Sequence, residues 1–449
     1  MSKHNTALIK KLLLKKDFKA IKTKLTRWQI QDIAEFITTL SESETLLIFR
    51  TLPHSISADV FSHLDTKSQE QLVKSFTNKE AKEILADLSP DDRAHVLEEL
   101  PGIVTRRLFK LLNPADLAET KTLLGYAPES VGRIMTPDYV FVYEDMTVKE
   151  AIERIKIRGK DSETLNRIYI TDSAKKLIDS IKLRTLILAD PKATIASLLT
   201  YNPIQLTANQ DREEAVKAMQ KYDLTAIPVV DTKGILIGIV TFDDLVDVAQ
   251  EEATEDIHKI GSVSPLKASY TDSSILTLFQ KRIYWLSLLI VLGLLSAGII
   301  SFYEELLAEV IILAIFIPLL IGSAGNIGAQ SSTLIVRALA TDDIKIGEWF
   351  KVLCKEVVIG FIIGVTLGLV ISLIGFYKGG IYLALVIGFA MLATVLAANI
   401  VGAMIPFILS ISKIDPAIAS APLITTIMDV LGLVIYFSIA LFFLSVFGM

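Results

Sequence analysis

The chain has 449 residues, room for about three domains at roughly 150 residues each, and combines 51% hydrophobic residues with 21% charged ones. Only 15 Asp, Glu, Lys and Arg residues lie between Ile283 and Met449 and 80 lie before Ile283, so a soluble-type region is joined to a membrane-type one. With 45 basic against 50 acidic residues the chain lacks the basic footprint of a nucleic-acid binder, and its single cysteine, Cys354, excludes an intrachain disulfide framework and a cysteine metal site, leaving oxygen ligands for any metal.

The N-terminal segment MSKHNTALIKKLLLKKDFKAIKTK is basic but has neither an apolar core nor a small-residue cleavage site. It does not read as a signal peptide, so the region before about Tyr284 is expected in the cytoplasm. Leu40, Leu64, Leu88 and Leu112 then recur every 24 residues, each followed by a helix N-cap residue: Ser41, Asp65, Ser89 and Asn113. Glu44 completes a capping box with Ser41, and Pro90 and Pro114 take first helical positions, where a missing N–H costs nothing. Residues 1–128 read as an α-helical solenoid N-domain, with an ordinary helical bundle as the alternative.

From Val131 short strands alternate with helices, in two copies. VGRIMTPDYVFVYEDMTVKEAIERI leads to RIYITDSAKKLIDSIKL, and SLLTYNPIQLTANQDREEAVKAMQKY leads to AIPVVDTKGILIGIVTFDDLVDV. Each runs strand, amphipathic helix, hairpin, and the hairpin strands Ile168–Ile170 and Ile227–Val230 end at Asp172 and Asp231. The pattern resembles a tandem pair of cystathionine-β-synthase-type (CBS) domains, at 131–195 and 196–250. Pro228, Gly238 and the Thr241–Asp244 pair carry the resemblance in the second copy, while the first lacks a hairpin glycine. In that family the pair forms a compact module that usually dimerises and often senses a nucleotide or an ion.

The helix leaving this module carries Asp243, Asp244, Asp247, Glu251, Glu252, Glu255 and Asp256 with no Lys or Arg among them. Asp244, Asp247, Glu251 and Glu255 share one face and repel one another by a few tenths of a kcal/mol per pair. A hard divalent cation taking oxygen ligands would offset that repulsion by bridging them to other carboxylates such as Asp91 and Asp92, the alternative being a solvated face. Residues 251–282 are expected to form a connecting helix.

Residues 283–449 hold five segments long enough to cross about 30 Å of hydrocarbon, near 285–302, 309–330, 357–376, 382–411 and 422–447. Lys281, Arg282, Arg337, Lys345, Lys351, Lys355 and Lys413 fall on the side of the soluble region and only Lys378 on the other, which puts the N-terminus in the cytoplasm and the C-terminus outside. Gly360, Gly364, Gly368 and Ser372 form a small-residue stripe for helix packing. Pro318, Gly322, Gly325 and Gly328 are expected to break the second span around a watery cavity, with Asn326, Gln330 and, in the fourth span, Asn399 supplying neutral oxygens. Asp429, about seven residues into the fifth span with Thr425, Thr426 and Gly432 one turn away, reads as a carboxylate lining a cation path, the alternative being a buried protonated Asp. No phosphate-binding loop GxxxxGK[ST] is present, which argues against ATP-driven pumping.

Taken in this order, with EEATEDI after the second CBS copy, GSAGNIGAQ followed by RALA, and the Asp of TTIMDVLG, the chain resembles the MgtE family of magnesium channels. That resemblance implies a non-enzymatic, multi-pass protein of the plasma (inner) membrane that works as a homodimer. The pore would lie at the dimer axis between second and fifth helices, with Asp429, Asn326, Gly325, Gly328, Thr425 and Gly432 as its site and hydrated Mg²⁺ held by Asp429. It also implies closure by cytosolic Mg²⁺ bound to Asp91, Asp211, Glu213, Asp223, Asp244, Asp247, Glu252, Glu255, Asp256 and Asp415. ATP binding by the CBS module stays open. An ion-coupled divalent-cation transporter or exporter, and a membrane-anchored CBS nucleotide sensor, are the other readings.

Overall fold

In the computed structural model, which describes residues 3–266, 270–271 and 273–447, the 24-residue leucine period becomes pairs of short antiparallel helices. The chain divides into two units, Met1–Gln250 and Glu251–Met449. In the first, helices Glu42–Thr51, His54–Ser62, Thr66–Ser75, Asn78–Asp87, Pro90–Glu99, Gly102–Phe109 and Pro114–Leu124 follow three earlier ones, Lys3–Leu14, Phe18–Leu25 and Ile30–Thr38. Asp65 accepts from Ser68 N at 2.8 Å and Asn113 from Asp116 N at 2.9 Å, so the capping residues start their helices as expected. Helices two apart in sequence pack on one another, burying Ile33, Ile37, Ile48, Val60 and Phe61 completely, which is the near-neighbour stacking of a solenoid.

Two three-stranded sheets follow, Phe141–Tyr143, Arg167–Thr171, Leu177–Lys182 and Leu206–Thr207, Ala226–Val230, Leu236–Thr241. In both, the first strand pairs parallel with the second and the second antiparallel with the third, the same topology twice. The hairpins turn at the two aspartates: Asp172 accepts from Ala174 and Lys176 amides, Asp231 from Lys233 and Ile235 amides. Gly234 has φ +83° in the second turn, and Lys175 bears φ 62° in the first, which is how the copy without a hairpin glycine makes the same bend. Tyr169, Leu177, Val230, Leu236 and Ile239 form a cluster between the hairpins. Ala94 and Leu123 of the solenoid join the core of the second CBS copy, and Arg133 Nε donates to Glu98 at 2.9 Å, fixing the last helices of the solenoid against that copy.

The acidic helix begins inside the first unit, at Phe242, and ends at Ile260. This corrects the expected connecting helix over 251–282: Gly261 and Ser262 (φ 54°) stop it, and the next helix starts only at Ile275. Residues 267–269 and 272 of that range lie outside the described residues.

In the second unit the first apolar helix, Ile275–Phe302, has no buried residue. The second, Ile317–Ala340, follows a short 3₁₀ segment, Ile311–Phe316. Trp349–Ile411 is 63 residues long, about three times what crosses a bilayer at 1.5 Å per residue. It is two helices, divided at Gly379 (φ −150°, ψ 17°) and Gly380 (φ 76°, ψ −167°). With Ala421–Phe447 this makes five membrane-length helices among the described residues. The stripe on the third packs on the fourth: a Cβ on Gly364 would stand 3.1 Å from Leu392 O, and Ser372 Oγ donates to Ala384 O at 2.9 Å. The second span is intact, against the expectation of a broken helix: Pro318 sits in its first turn, Gly325 and Gly328 serve close packing, and Gly322 lies open within unbroken helix.

Candidate ion path and acidic sensor

The second and fifth helices cross closely. A Cβ on Gly325 would lie 2.9 Å from Thr425 Cγ2, and one on Gly328 would lie 2.8 Å from Ile424 Cγ2 and 3.2 Å from Ala398 O. Gly402 of the fourth helix abuts the Gly328 carbonyl directly. Small residues let these backbones approach where hydrophobic association gives no help. A Cβ on Gly432 would lie 4.0 Å from both Ile321 Cγ1 and Thr394 Cγ2. With Thr425 against Gly325 and Gly432 against Ile321, the helices run antiparallel here, and Asp429 lies level with Gly322 to Gly325.

Asp429 is partly exposed, and among the described residues no basic side chain pairs with it. Gly322, Asn326 and Gln330 are exposed and recur every fourth position, so one open face of this helix carries two carboxamides. Asn399 does not belong to that face. It is 3% exposed and donates to Glu356 of the third helix, because its side chain points into the bundle.

In the first unit the solenoid and the CBS module bring acidic groups together. Asp91, in the first turn of Pro90–Glu99, has a buried Oδ1 with no hydrogen-bond partner. Burial, and then the charge of Asp92, push its carboxyl above the usual range. Asp244 accepts from Thr241 Oγ1 at 2.7 Å, yet burial and Asp91 push it up too. Glu163, absent from the sequence expectations, is driven to about 7 by partial desolvation and by Asp91, Asp243, Asp92 and Asp138. An orphaned buried oxygen among carboxylates that resist ionising together is what a divalent cation would relieve. Among the described residues, however, no three carboxylate, imidazole or thiol groups converge closely enough to ligate one ion directly.

Three further acidic candidates of the first unit, Asp211, Glu213 and Asp223, stand at the ends of one helix, Arg212–Tyr222. Asp211 caps the helix Arg212–Tyr222 by accepting from Glu213 N at 2.9 Å, and Glu213 pairs with Lys217 at 3.1 Å. Asp223 ends that helix with φ 50°. In the second unit Glu255 and Asp415 are joined by a cation the chain itself supplies: Lys259 Nζ lies 2.6 Å from Glu255 and 2.5 Å from Asp415. Burial lowers the ammonium pKa, but those carboxylates outweigh it and hold the group charged. The sequence reading, looking for carboxylates, passed over Lys259. Asp247, Glu251, Glu252 and Asp256 lie on the same helix.

Beside Asp223 a cleft of about 650 Å³ opens in the CBS module, lined by Asn166, Arg167, Lys182, Arg184, Ile187 and Thr225 among others. Three cations over an apolar floor suit a polyanion carrying a ring. Sequence reasoning missed it because Arg167 opens one strand, while Lys182 ends the next and Arg184 lies in the helix Leu183–Leu188 that follows, so the three come together only when the strands pair.

A multi-span membrane transport protein carrying a CBS regulatory module is the class this architecture defines. The MgtE family, described as a divalent cation transporter, matches residues 317–439, its intracellular N domain matches 28–129, and CBS domains match 131–192 and 195–251. The magnesium transporter MgtE of Thermus thermophilus is 37% identical over 94% of this chain and 95% of its own length, and that of Bacillus subtilis 31% over 93% and 95%. The crystal structure of the cytosolic domain of the Mg²⁺ channel MgtE in complex with ATP, 33% identical, covers 54% of this chain and 99% of that one with a TM-score of 0.52. The chain belongs to the MgtE family of transporters, whose named relatives are not enzymes.

Proposed function

We propose that the protein is a Mg²⁺ channel that carries magnesium into the cell across the plasma membrane and closes when cytosolic Mg²⁺ fills its acidic sites. The observation that carries this reading is Asp429: a carboxylate with no basic partner among the described residues, on a helix packed closely against the second, whose Gly322, Asn326 and Gln330 share an open face. Mg²⁺ parts with its waters reluctantly, so a carboxylate with space and neutral oxygens around it suits the hydrated ion. An open polar face inside hydrocarbon needs cover, which supports a homodimer with the path at its axis. Phe242, Val246 and Ile257, exposed on one face of the acidic helix, support the same pairing. The positive-inside pattern puts the N-terminus in the cytoplasm and the C-terminus outside. Asp211, Glu213, Asp223 and Asp247 in the first unit and Glu251, Glu252 and Asp256 in the second are proposed as separate regulatory sites, and the main sensor is the Asp91, Asp92, Asp244 cluster. Its ion, keeping several waters, would bridge carboxylates that do not meet directly.

The test is Mg²⁺ current through patches holding the purified protein while magnesium is stepped on the face of the soluble region. Current that shuts off at millimolar magnesium is expected. Current indifferent to magnesium would remove the sensor, and no current would remove the channel in favour of a coupled transporter.

The cationic cleft supports nucleotide binding by the CBS module as a second role. Arg184→Ala is expected to weaken ATP binding to the full-length protein by about tenfold, the worth of one charge-assisted contact, measured by calorimetry. Unchanged affinity would place ATP elsewhere.

A further inference from the structure

Glu356 is a carboxyl group buried in the membrane unit, 9% exposed, eight residues into the third helix. Its Oε2 accepts from Asn399 Nδ2 of the fourth helix at 2.6 Å and from Ser331 Oγ of the second at 3.1 Å. The same Asn399 amide donates to the Glu356 main-chain carbonyl at 2.7 Å, and Ser331 Oγ also reaches Asn399 O at 3.3 Å. Asn399 and Ser331 are 3% and 4% exposed, and among the described residues no basic side chain pairs with Glu356. One carboxyl group thus gathers three helices at a point where the backbones are already close: a Cβ on Gly360, one turn on, would stand 3.0 Å from Asn399 Cβ.

The second helix is held here from two sides. Ser331 is tied to Glu356 and Asn399, while Ser332 Oγ donates to Ala419 O at 2.8 Å, just before the fifth helix begins. One turn back from Ser331 lies Gly328, and the turn before that holds Gly325 and Asn326. Such ties are needed because a helix in hydrocarbon has no hydrophobic drive to fix its rotation, and specific hydrogen bonds and backbone contacts set it instead.

We propose that Glu356 is a positioning residue for ion passage: clamped by Asn399 and Ser331, it sets the rotation and depth of the second helix and so the aim of Asn326 beside Asp429. The consequence for transport rests on the reading of that face as the ion path, but the clamp itself does not.

The experiment uses full-length protein in liposomes, with Cys354→Ser as background and Asn326→Cys as a thiol probe of the second helix. Glu356→Ala is expected to change the labelling rate at position 326 by about tenfold, within the range that coupled packed residues reach. In protein retaining Asn326, the same variant is expected to lower maximal Mg²⁺ flux by about tenfold while the half-saturating concentration moves by less than about twofold. Glu356→Gln keeps an acceptor oxygen and the shape, and is expected to restore both readouts to within about twofold. Unchanged labelling in Glu356→Ala overturns the clamp, and so does Glu356→Gln as impaired as alanine in well-folded protein, because charge rather than aim would then be needed. Shifted labelling with normal flux in Asp429→Ala upholds the clamp and removes the ion-path reading. Should Glu356→Ala fail to assemble, Ser331→Ala cuts the tie to the second helix alone; a labelling change of about threefold is expected, and none would overturn the clamp.

Discussion

Asp429→Ala is expected to abolish Mg²⁺ uptake while leaving assembly in the membrane intact. A central Asp costs a transmembrane helix roughly 2.5–3.5 kcal/mol, and no basic side chain compensates it among the described residues. In the proposed channel the passing cation supplies that compensation. Losing it removes about two orders of magnitude in ion occupancy, enough to bring uptake to background. Removing the carboxylate takes away the cost of insertion as well, so the variant should withstand heating in detergent at least as well as the parent. Uptake in cells that rely on this protein for magnesium, with the thermal transition of the purified variant, checks both halves. Normal uptake would place the ion path elsewhere.

The second large effect concerns pH. Asp91, Asp244 and Glu163 all have carboxyl pKa values raised first by burial and then by neighbouring carboxylates, Asp92 beside Asp91, and Asp91, Asp243 and Asp92 beside the other two. A raised carboxyl contributes stability in its protonated form: complete below about pH 4, where free carboxyls titrate, and lost as pH rises through the folded values, about 7 for Glu163. Without Mg²⁺ the cytosolic region should therefore become more open to protease between about pH 5 and pH 8. With Mg²⁺ the order reverses, because the ion favours the ionised groups and protection then grows with pH. The paired substitution Asp91→Asn with Asp244→Asn should flatten the pH dependence and raise the Mg²⁺ needed for half protection by about tenfold, the equivalent of one pKa unit. Limited proteolysis of the full-length protein across pH and magnesium reads both effects. A pH slope and a magnesium midpoint that both match the parent would reduce the cluster to a solvated surface.

Much of the fold was legible because its signals are local. Asp65 and Asn113 cap as their positions suggested, Asp172 and Asp231 mark both CBS turns, and apolar runs mark the spans. The errors arose where local rules meet tertiary context. Gly325 and Gly328 look like helix breakers in isolation, yet in a packed bundle a missing Cβ is a contact surface. Asn399 looked like a lining residue, but its orientation depends on Glu356, 43 positions away. Glu356 carries no local signal of its role, because it stands one residue before the apolar run of the third span, where a charge is ordinary. Glu255 and Asp415 matched a ligand pattern from which Lys259 between them could not be foreseen, the two carboxylates being 160 positions apart in the chain. Carboxylates could be selected by type, but convergence depends on distances that a linear pattern does not carry.

The two-glycine turn at Gly379 and Gly380 bears on how the protein is made. With ψ −167° at φ 76°, Gly380 occupies backbone space that is essentially closed to residues with a side chain. A connection this short leaves the third and fourth helices little freedom to part, so they are expected to enter the bilayer together as a hairpin, and the bend between them would act first as a step in biogenesis and only afterwards as a loop.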